Sequence, residues 1–430
     1  MIKQSFIGLF QPKLKYDLVE PDPKEPELVP VPANILLLLN EPLDSSKILM
    51  ISKGDNVKKG QRLFLYKDSK EYVFSPVSGV IKKIDSYSGE FGDTKTNLVI
   101  GTESNDEFVN DFSENADEFE LETAAKFLKL LPGAPPIDIL TDPAKKIHTL
   151  VISSVDQDIA STTRQFFLAT AIEELKEGIE ILKKLTKIQK IVLIIPDGFN
   201  IKIEISGMQI FNVSPFYPDA LPEMIMKNQL NTIVPQGRTC EDMGVCFVSS
   251  EAVVSISKAY REKKINFEKL VCVTGKDGVQ HRVKAQIGTP TISILKQLNI
   301  IVNNEDRIVV GGPFTGFSTF TVFHPVQPHT DSLIIQDSDA LPHVSDAACI
   351  NCGKCIKICP ANIPVNLLVR QLEANLFEEA KEQYDLESCI ECGLCSYVCT
   401  AKIPIFQYIR LGKHELLKLE AKVETEGVNG

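Results

Sequence analysis

Eleven cysteines occur in the 430-residue chain, and eight of them fall in two runs towards its C-terminal end. The first run is Cys349-x2-Cys352-x2-Cys355-x3-Cys359, followed by Pro360. The second is Cys389-x2-Cys392-x2-Cys395-x3-Cys399. This is the spacing with which bacterial ferredoxins hold iron–sulfur clusters, a match to a known pattern rather than a derivation. Three thiolates two residues apart can wrap one face of a cubane if the loop curls tightly. Gly353 and Gly393 sit inside those loops, where a side chain would crowd the cluster or forbid the backbone angles. Backbone N–H groups of such loops can point at the sulfurs and tune the potential. The fourth cysteine of each run lies too far along to finish its own cubane and reaches the other one. The runs therefore predict one [4Fe–4S] cluster on Cys349, Cys352, Cys355 and Cys399, and a second on Cys389, Cys392, Cys395 and Cys359. Two such clusters form a short electron wire.

A pair of zinc sites is the competing reading. Zinc usually takes two C-x2-C pairs or mixes Cys with His. Two complete four-cysteine runs with internal glycines fit iron–sulfur better. Thr400 stands where the first run has Pro360, at a position that is not a ligand. No Ser-His-Asp or Cys-His nucleophile pattern competes. Cys240, Cys246 and Cys272 are scattered, and Cys272 alternates with Val271 and Val273, so all three read as small buried apolar residues.

The elements that must position the cysteines follow from periodicity. Between the runs, Leu368, Leu372, Leu376 and Ala380 recur every four residues, which predicts a largely helical insert and a helix-rich ferredoxin domain over 346–430. Upstream, residues 1–33 are rich in Pro and charge and read as an extended arm. Residues 34–102 read as strands, with turns at Gly54-Asp55, Lys59-Gly60, Ser75-Pro76 and Ser78-Gly79. Residues 103–122 hold nine Asp or Glu and no Lys or Arg, which suggests an exposed linker with a helix starting near its end. Over 103–235, strand signals at Leu150-Val151-Ile152 and Lys190–Ile195 flank a helical period from Thr170 to Lys187, predicting a parallel sheet. Residues 236–312 read as shorter strands and 313–345 as return strands and a linker. The expected class is multidomain α+β.

The formal net charge is −11. That argues against nucleic-acid binding, which needs a basic surface. The longest aliphatic runs, Ile35–Leu39 and Ile191–Ile195, are far too short to span a bilayer. The segment from Met1 to Phe10 lacks the pattern of a secretory signal, so a cytoplasmic location is expected. Clustered cysteines in a long chain of that kind point to metal rather than disulfides.

The second cysteine run, with Ile403-Pro404 and Tyr408-Ile-Arg-Leu-Gly-Lys413, resembles the RnfC family, a component of the Rnf electron transport complex, and the resemblance extends over nearly the whole chain. Gly54-Asp-Asn-Val-Lys-Lys-Gly-Gln61 and Ser75-Pro-Val-Ser-Gly79 resemble that family's β barrel-sandwich hybrid, a relative of lipoyl carriers. No lysine stands at the hairpin tip that lipoylation requires, so the module reads as structural. Gly288-Thr-Pro290 and Gly311-Gly-Pro313 are similar to its soluble-ligand-binding β-grasp module and its exit. The segment over 103–235 corresponds to its α/β domain, which is like the flavoprotein of respiratory complex I. The resemblance implies a peripheral subunit on the cytoplasmic face of a membrane complex. Such a complex couples electron flow from ferredoxin to sodium or proton translocation through its membrane and peripheral subunits.

One departure stands out. Family members carry a glycine-rich flavin and NADH loop followed by an acidic Glu-Cys-Glu-Pro stretch. Here the counterparts are Leu131-Pro-Gly-Ala-Pro-Pro136 and Ser153-Ser-Val-Asp-Gln-Asp158. Without consecutive glycines the backbone cannot approach a phosphate with its N–H groups, so FMN and NADH are expected to be absent. Ferredoxin as donor and a quinone-like or other membrane acceptor reached through partner subunits follow from that. A soluble, flavin-independent iron–sulfur reductase related to cobalamin reductases is the alternative, but those are expected to keep the glycine loop. A scaffold whose clusters only hold the fold is a third class. A sodium-pumping quinone reductase subunit shares the fold without the cysteines.

Overall fold

The computed structural model describes residues 14–20, 23–104, 107–109, 111–115, 120–199, 208–341, 344–345 and 347–428. Residues 1–13 of the expected arm lie outside them. The chain forms two compact units. The larger comprises Tyr16–Pro215 and Glu241–Asp339, and the smaller combines residues 216–240 with those from 340 onward.

The larger unit contains three sheet systems. In the first, strands Asn34–Leu39, Thr94–Thr102, Gly79–Ser88 and Asn56–Val57 pair antiparallel in that order, and Arg62–Phe64 pairs with Tyr72–Phe74. Ile35, Leu37 and Leu39 alternate into the core with Leu63, Ile81, Leu98 and Ile100. A Cβ at Gly79 would stand 2.1 Å from the Gly101 carbonyl oxygen, so the crossing of these two strands requires glycine.

The second is a parallel sheet in the order Met208–Val213, Lys190–Pro196, Thr149–Ser153, Val245–Ser249. Thr149–Ser153 is buried along its whole length, as expected of a strand covered on both faces. The predicted 170–187 helix is the continuous Ile172–Thr186, preceded by a separate helix Thr163–Thr170 with the break at Ala171. Helix Ser250–Glu262 crosses Ile172–Thr186 closely: a Cβ on Gly178 would meet the Val253 carbonyl oxygen at 2.3 Å. The sheet takes its fourth strand from beyond the expected boundary at 235, because that strand is recruited by pairing with Thr149–Ser153 and not by its neighbours in the chain.

The third is a mixed sheet in the order Glu27–Leu28, Gln280–Gln286, Glu268–Thr274, Ser332–Gln336, Arg307–Val310, Phe317–Thr319. Glu268–Thr274 and Gln280–Gln286 form a hairpin, Ser332–Gln336 runs parallel to the first of them, and helix Thr291–Gln297 intervenes in sequence. The arm is thus tied into a sheet through its parallel contact at Glu27–Leu28.

The acidic stretch is not simply an exposed linker. Phe112 is 3% exposed and packs against Phe127 and Tyr260, and Lys58 ion-pairs with Glu107 at 2.9 Å. A helix does begin near its end, at Leu121–Leu128. Residues 105–106, 110 and 116–119 of this stretch lie outside the described residues.

In the smaller unit the insert between the cysteine runs forms helices Val365–Glu373 and Phe377–Tyr384. The expected four-residue stripe is interrupted between them: Asn375 is in the left-handed region (φ 58°), and Leu376, which lies in neither helix, is 41% exposed. Leu368, Leu372 and Ala380 are buried with Ile409 and Leu416 of the final helix.

Candidate metal centre

The two cysteine runs fold as copies of one another. Gly353 (φ 72°) and Gly393 (φ 69°) each precede a short helix, Lys354–Ile358 and Leu394–Val398. Asn351 and Glu391, two residues after each first cysteine, are both left-handed, and so are Asn362 and Lys402, three residues after each fourth one. The repeat then continues through Ile363-Pro364-Val365 and Ile403-Pro404-Ile405 into the helices that begin at Val365 and Ile405. The duplication is therefore longer than the cysteine spacing, and the paired Ile-Pro steps are the sequence signal for it. Turns of this kind put four left-handed residues and two glycines beside the thiols, which lets the backbone curl around them.

The runs cooperate crosswise. Cys349, Cys352, Cys355 and Cys399 line one cavity, closed by Val369, Ile403 and Ile405. On the other side, Cys359 lies within electrostatic reach of Cys389, Cys392 and Cys395, whose thiols it helps to keep protonated. Backbone N–H groups serve the sulfurs in matched pairs, with Lys354 donating towards Cys352 and Leu394 towards Cys392. The Glu391 N–H lies 3.4 Å from Cys389 Sγ. Among the described residues no three His, Cys, Asp or Glu side chains converge to hold a single metal ion. The thiols ring a volume instead.

Burial dominates the thiol chemistry. It pushes Cys355 and Cys389 up to about 11, Cys392 up to about 12, and Cys395 well above the ordinary value. Cys352 goes the other way, lowered first by the Lys354 N–H. Most of these thiols therefore stay protonated at neutral pH until a cation replaces the protons. The donors are all sulfur, their walls are apolar, and N–H groups are aimed at them, which is the chemistry an iron–sulfur cluster requires.

Carbonyls of the second run are anchored from elsewhere. Tyr217 Oη donates to the Cys392 carbonyl at 2.7 Å, and Lys413 Nζ donates to the Cys389 carbonyl at 2.7 Å and to Glu391 at 2.8 Å. Sequence reasoning missed Tyr217, and nothing in the sequence around Pro215-Phe-Tyr-Pro218 points to the cysteines. The three scattered cysteines are buried, as expected, and burial raises Cys246 to about 12 and Cys272 to about 11, which disfavours their thiolates.

In the larger unit, the loop Leu131–Pro136 has no N–H to spare. Leu131 donates to Leu128, Gly133 to Pro328, Ala134 to Leu131 and Ile137 to Pro135, while Pro132, Pro135 and Pro136 have no N–H. Gly133 is pressed on the start of helix Ser250–Glu262, where a Cβ would lie 2.4 Å from the Ala252 nitrogen. The acidic counterpart is equally occupied. Asp156 accepts from Ser161, Thr163 and the Arg164 N–H. Asp158 accepts from the Phe314 and Thr315 N–H groups at 3.0 and 2.7 Å, gripping the turn after Gly311-Gly312.

Fold and site together define an iron–sulfur protein with a barrel-sandwich module. Residues 21–105 match the RnfC barrel sandwich hybrid domain, and residues 348–403 match a 4Fe-4S dicluster domain. The chain is similar over most of its length to proteins of the RnfC family. It is 24% identical to the C component of the proton-translocating ferredoxin:NAD(+) oxidoreductase complex of Clostridium ljungdahlii, over 90% of this chain and 89% of that one. It is 26% identical to the C component of the ion-translocating oxidoreductase complex of Pectobacterium carotovorum over 78% of this chain, and 25% identical to that of Buchnera aphidicola over 78%. It spans 48% of the Pectobacterium chain and 70% of the Buchnera chain. Among solved structures, an NAD+-reducing [NiFe]-hydrogenase covers 72% of this chain and 63% of its own, at 13% identity and a TM-score of 0.43, a likeness too loose to bear on function.

Proposed function

We propose that the chain is the peripheral electron-transfer subunit of a membrane-bound Rnf-type complex, seated on the cytoplasmic face. The complex couples electron flow from reduced ferredoxin to translocation of sodium ions or protons. Cys349, Cys352, Cys355 and Cys399 hold one [4Fe–4S] cluster, and Cys389, Cys392, Cys395 and Cys359 hold the other. When bound, each cluster accepts and returns one electron. The crosswise convergence of the eight cysteines carries this reading. Among the described residues no helix is long and apolar enough to cross a membrane, which is compatible with docking on partner subunits.

The hairpin, helix and parallel return strand of the mixed sheet support a β-grasp module, completed by Ser332–Gln336. The parallel sheet with its helices supports a central domain like the complex I flavoprotein, here without its ligands. A flavin phosphate needs several free N–H groups from one loop, and those of Leu131–Ile137 are all engaged or missing. The chain therefore binds neither FMN nor NADH. The test is anaerobic purification with iron and sulfide reconstitution, followed by flavin fluorescence after denaturation and titration with NADH. No flavin and no NADH saturation are expected. Stoichiometric FMN would overturn this part of the reading.

A further inference from the structure

The two cysteine sets differ in how they meet solvent. Of the eight, Cys352 alone is exposed, whereas Cys392 and Cys395 are 7% and 8% exposed. Beside Cys352, Asn351 and Thr400 are exposed and Ile350 is an apolar side chain 63% exposed.

Charge divides in the same way. From Ala347 to Arg370 the chain carries Lys354, Lys357 and Arg370 and no Asp or Glu, within a protein of net charge −11. Lys354, Arg370 and Lys402 each directly follow a residue that lines the cavity of the first set: Gly353, Val369 and Ala401. Arg370 and Lys402 are exposed, and among the described residues Lys354, Arg370 and Lys402 form no ion pair. The second set is bordered by Glu387 and Glu391, and these are matched by Lys381 at 3.0 Å and Lys413 at 2.8 Å. Basic charge left unmatched at one exposed thiol, in an acidic chain, is a feature that complements an anionic partner.

We propose that the face around Cys352 is the docking surface for an acidic one-electron carrier protein, with Ile350 at its centre and Lys354, Arg370 and Lys402 as its rim. This rests on the iron–sulfur reading of the cysteines. One electron crosses, one protein is oxidised as the other is reduced, and no bond or proton changes. The exposed thiol edge shortens the path, the apolar centre excludes water, and the basic rim orients the encounter. In the second set Cys359 and Cys389 are half-buried and Cys392 and Cys395 buried, so it offers no thiol as exposed as Cys352.

The experiment uses the full chain with reconstituted clusters and an acidic two-cluster bacterial ferredoxin as probe. Affinity is measured across a salt titration, and iron content is measured on the same samples. Wild-type binding is expected to weaken as salt rises. An Arg370→Glu, Lys402→Glu double variant is expected to bind about tenfold more weakly at low salt and to lose the salt dependence. Ile350→Asp is expected to weaken binding, and Lys53→Glu, in the barrel-sandwich module, to leave it unchanged. The proposal falls if the double variant carries iron and binds like wild type, or if wild-type affinity is indifferent to salt. It also falls if the double variant loses binding only to phosphatidylglycerol vesicles, which would make the face a membrane contact. A wild-type chain that takes up no iron would instead sink the underlying iron–sulfur reading.

Discussion

Cys359 and Cys399 separate the crosswise arrangement from two self-contained sites. Each ends the short helix that carries its own run's third cysteine; Cys399 lines the cavity of the first set, and Cys359 lies within electrostatic reach of the second. Serine at Cys399 should therefore remove the same paramagnetic signal that serine at Cys349 removes, and iron content should fall by about half in each. Serine at Cys359 should match serine at Cys389. Electron paramagnetic resonance of the four variants is the check, and a match of Cys359→Ser to Cys349→Ser would refute the arrangement. A second residue-scale effect concerns His324, which is 3% exposed with Nδ1 2.7 Å from Tyr87 Oη. Burial, helped by the neighbouring His329, holds its imidazole down at about 4. The unfolded chain binds this proton from about pH 6.5 downward, so the group's contribution to stability is present above that pH and is lost as pH falls towards about 4. The loss amounts to about 3 kcal/mol at most. Urea midpoints should drop between neutral and mildly acid buffer, and His324→Phe should flatten that slope.

At the scale of elements, the parallel sheet and the mixed sheet are joined by a buried ion network. Lys269 is 0% exposed and its ammonium bonds Glu251, the Leu270 carbonyl at 3.0 Å and Asp331 at 3.0 Å. Burial opposes an ionised Asp331, but Lys269 and Arg164 outweigh it and hold its carboxyl below the usual range. Lys269→Ala would strand the buried Glu251 carboxylate and leave the half-buried Asp331 with Arg164 alone, so a loss of about 3 kcal/mol is expected in urea unfolding of the larger unit. Little of this network is legible in the sequence. Local periodicity exposes Lys190–Pro196 as a strand and Ile172–Thr186 as a helix, since their patterns are set by neighbours in the chain. The fourth parallel strand, Val245–Ser249, and the Lys269 network depend on partners far along the sequence, which periodicity does not report.

At the scale of the molecule, the cysteine spacing reveals the site because cluster ligation is a local constraint on loop geometry. The membership of residues 216–240 in the cysteine-bearing unit leaves no such mark, and Tyr217 becomes visible only through its bond to the Cys392 carbonyl. The engaged N–H groups of Leu131–Ile137 extend what the missing glycines suggest. The most direct test is Mössbauer spectroscopy on anaerobically prepared, iron-57-loaded full chain, with iron and acid-labile sulfide counted on the same sample. The account predicts about eight irons and about eight sulfides per chain, in two four-iron clusters. Zinc in place of iron, or four-iron signal from a single cluster in fully loaded protein, would contradict it.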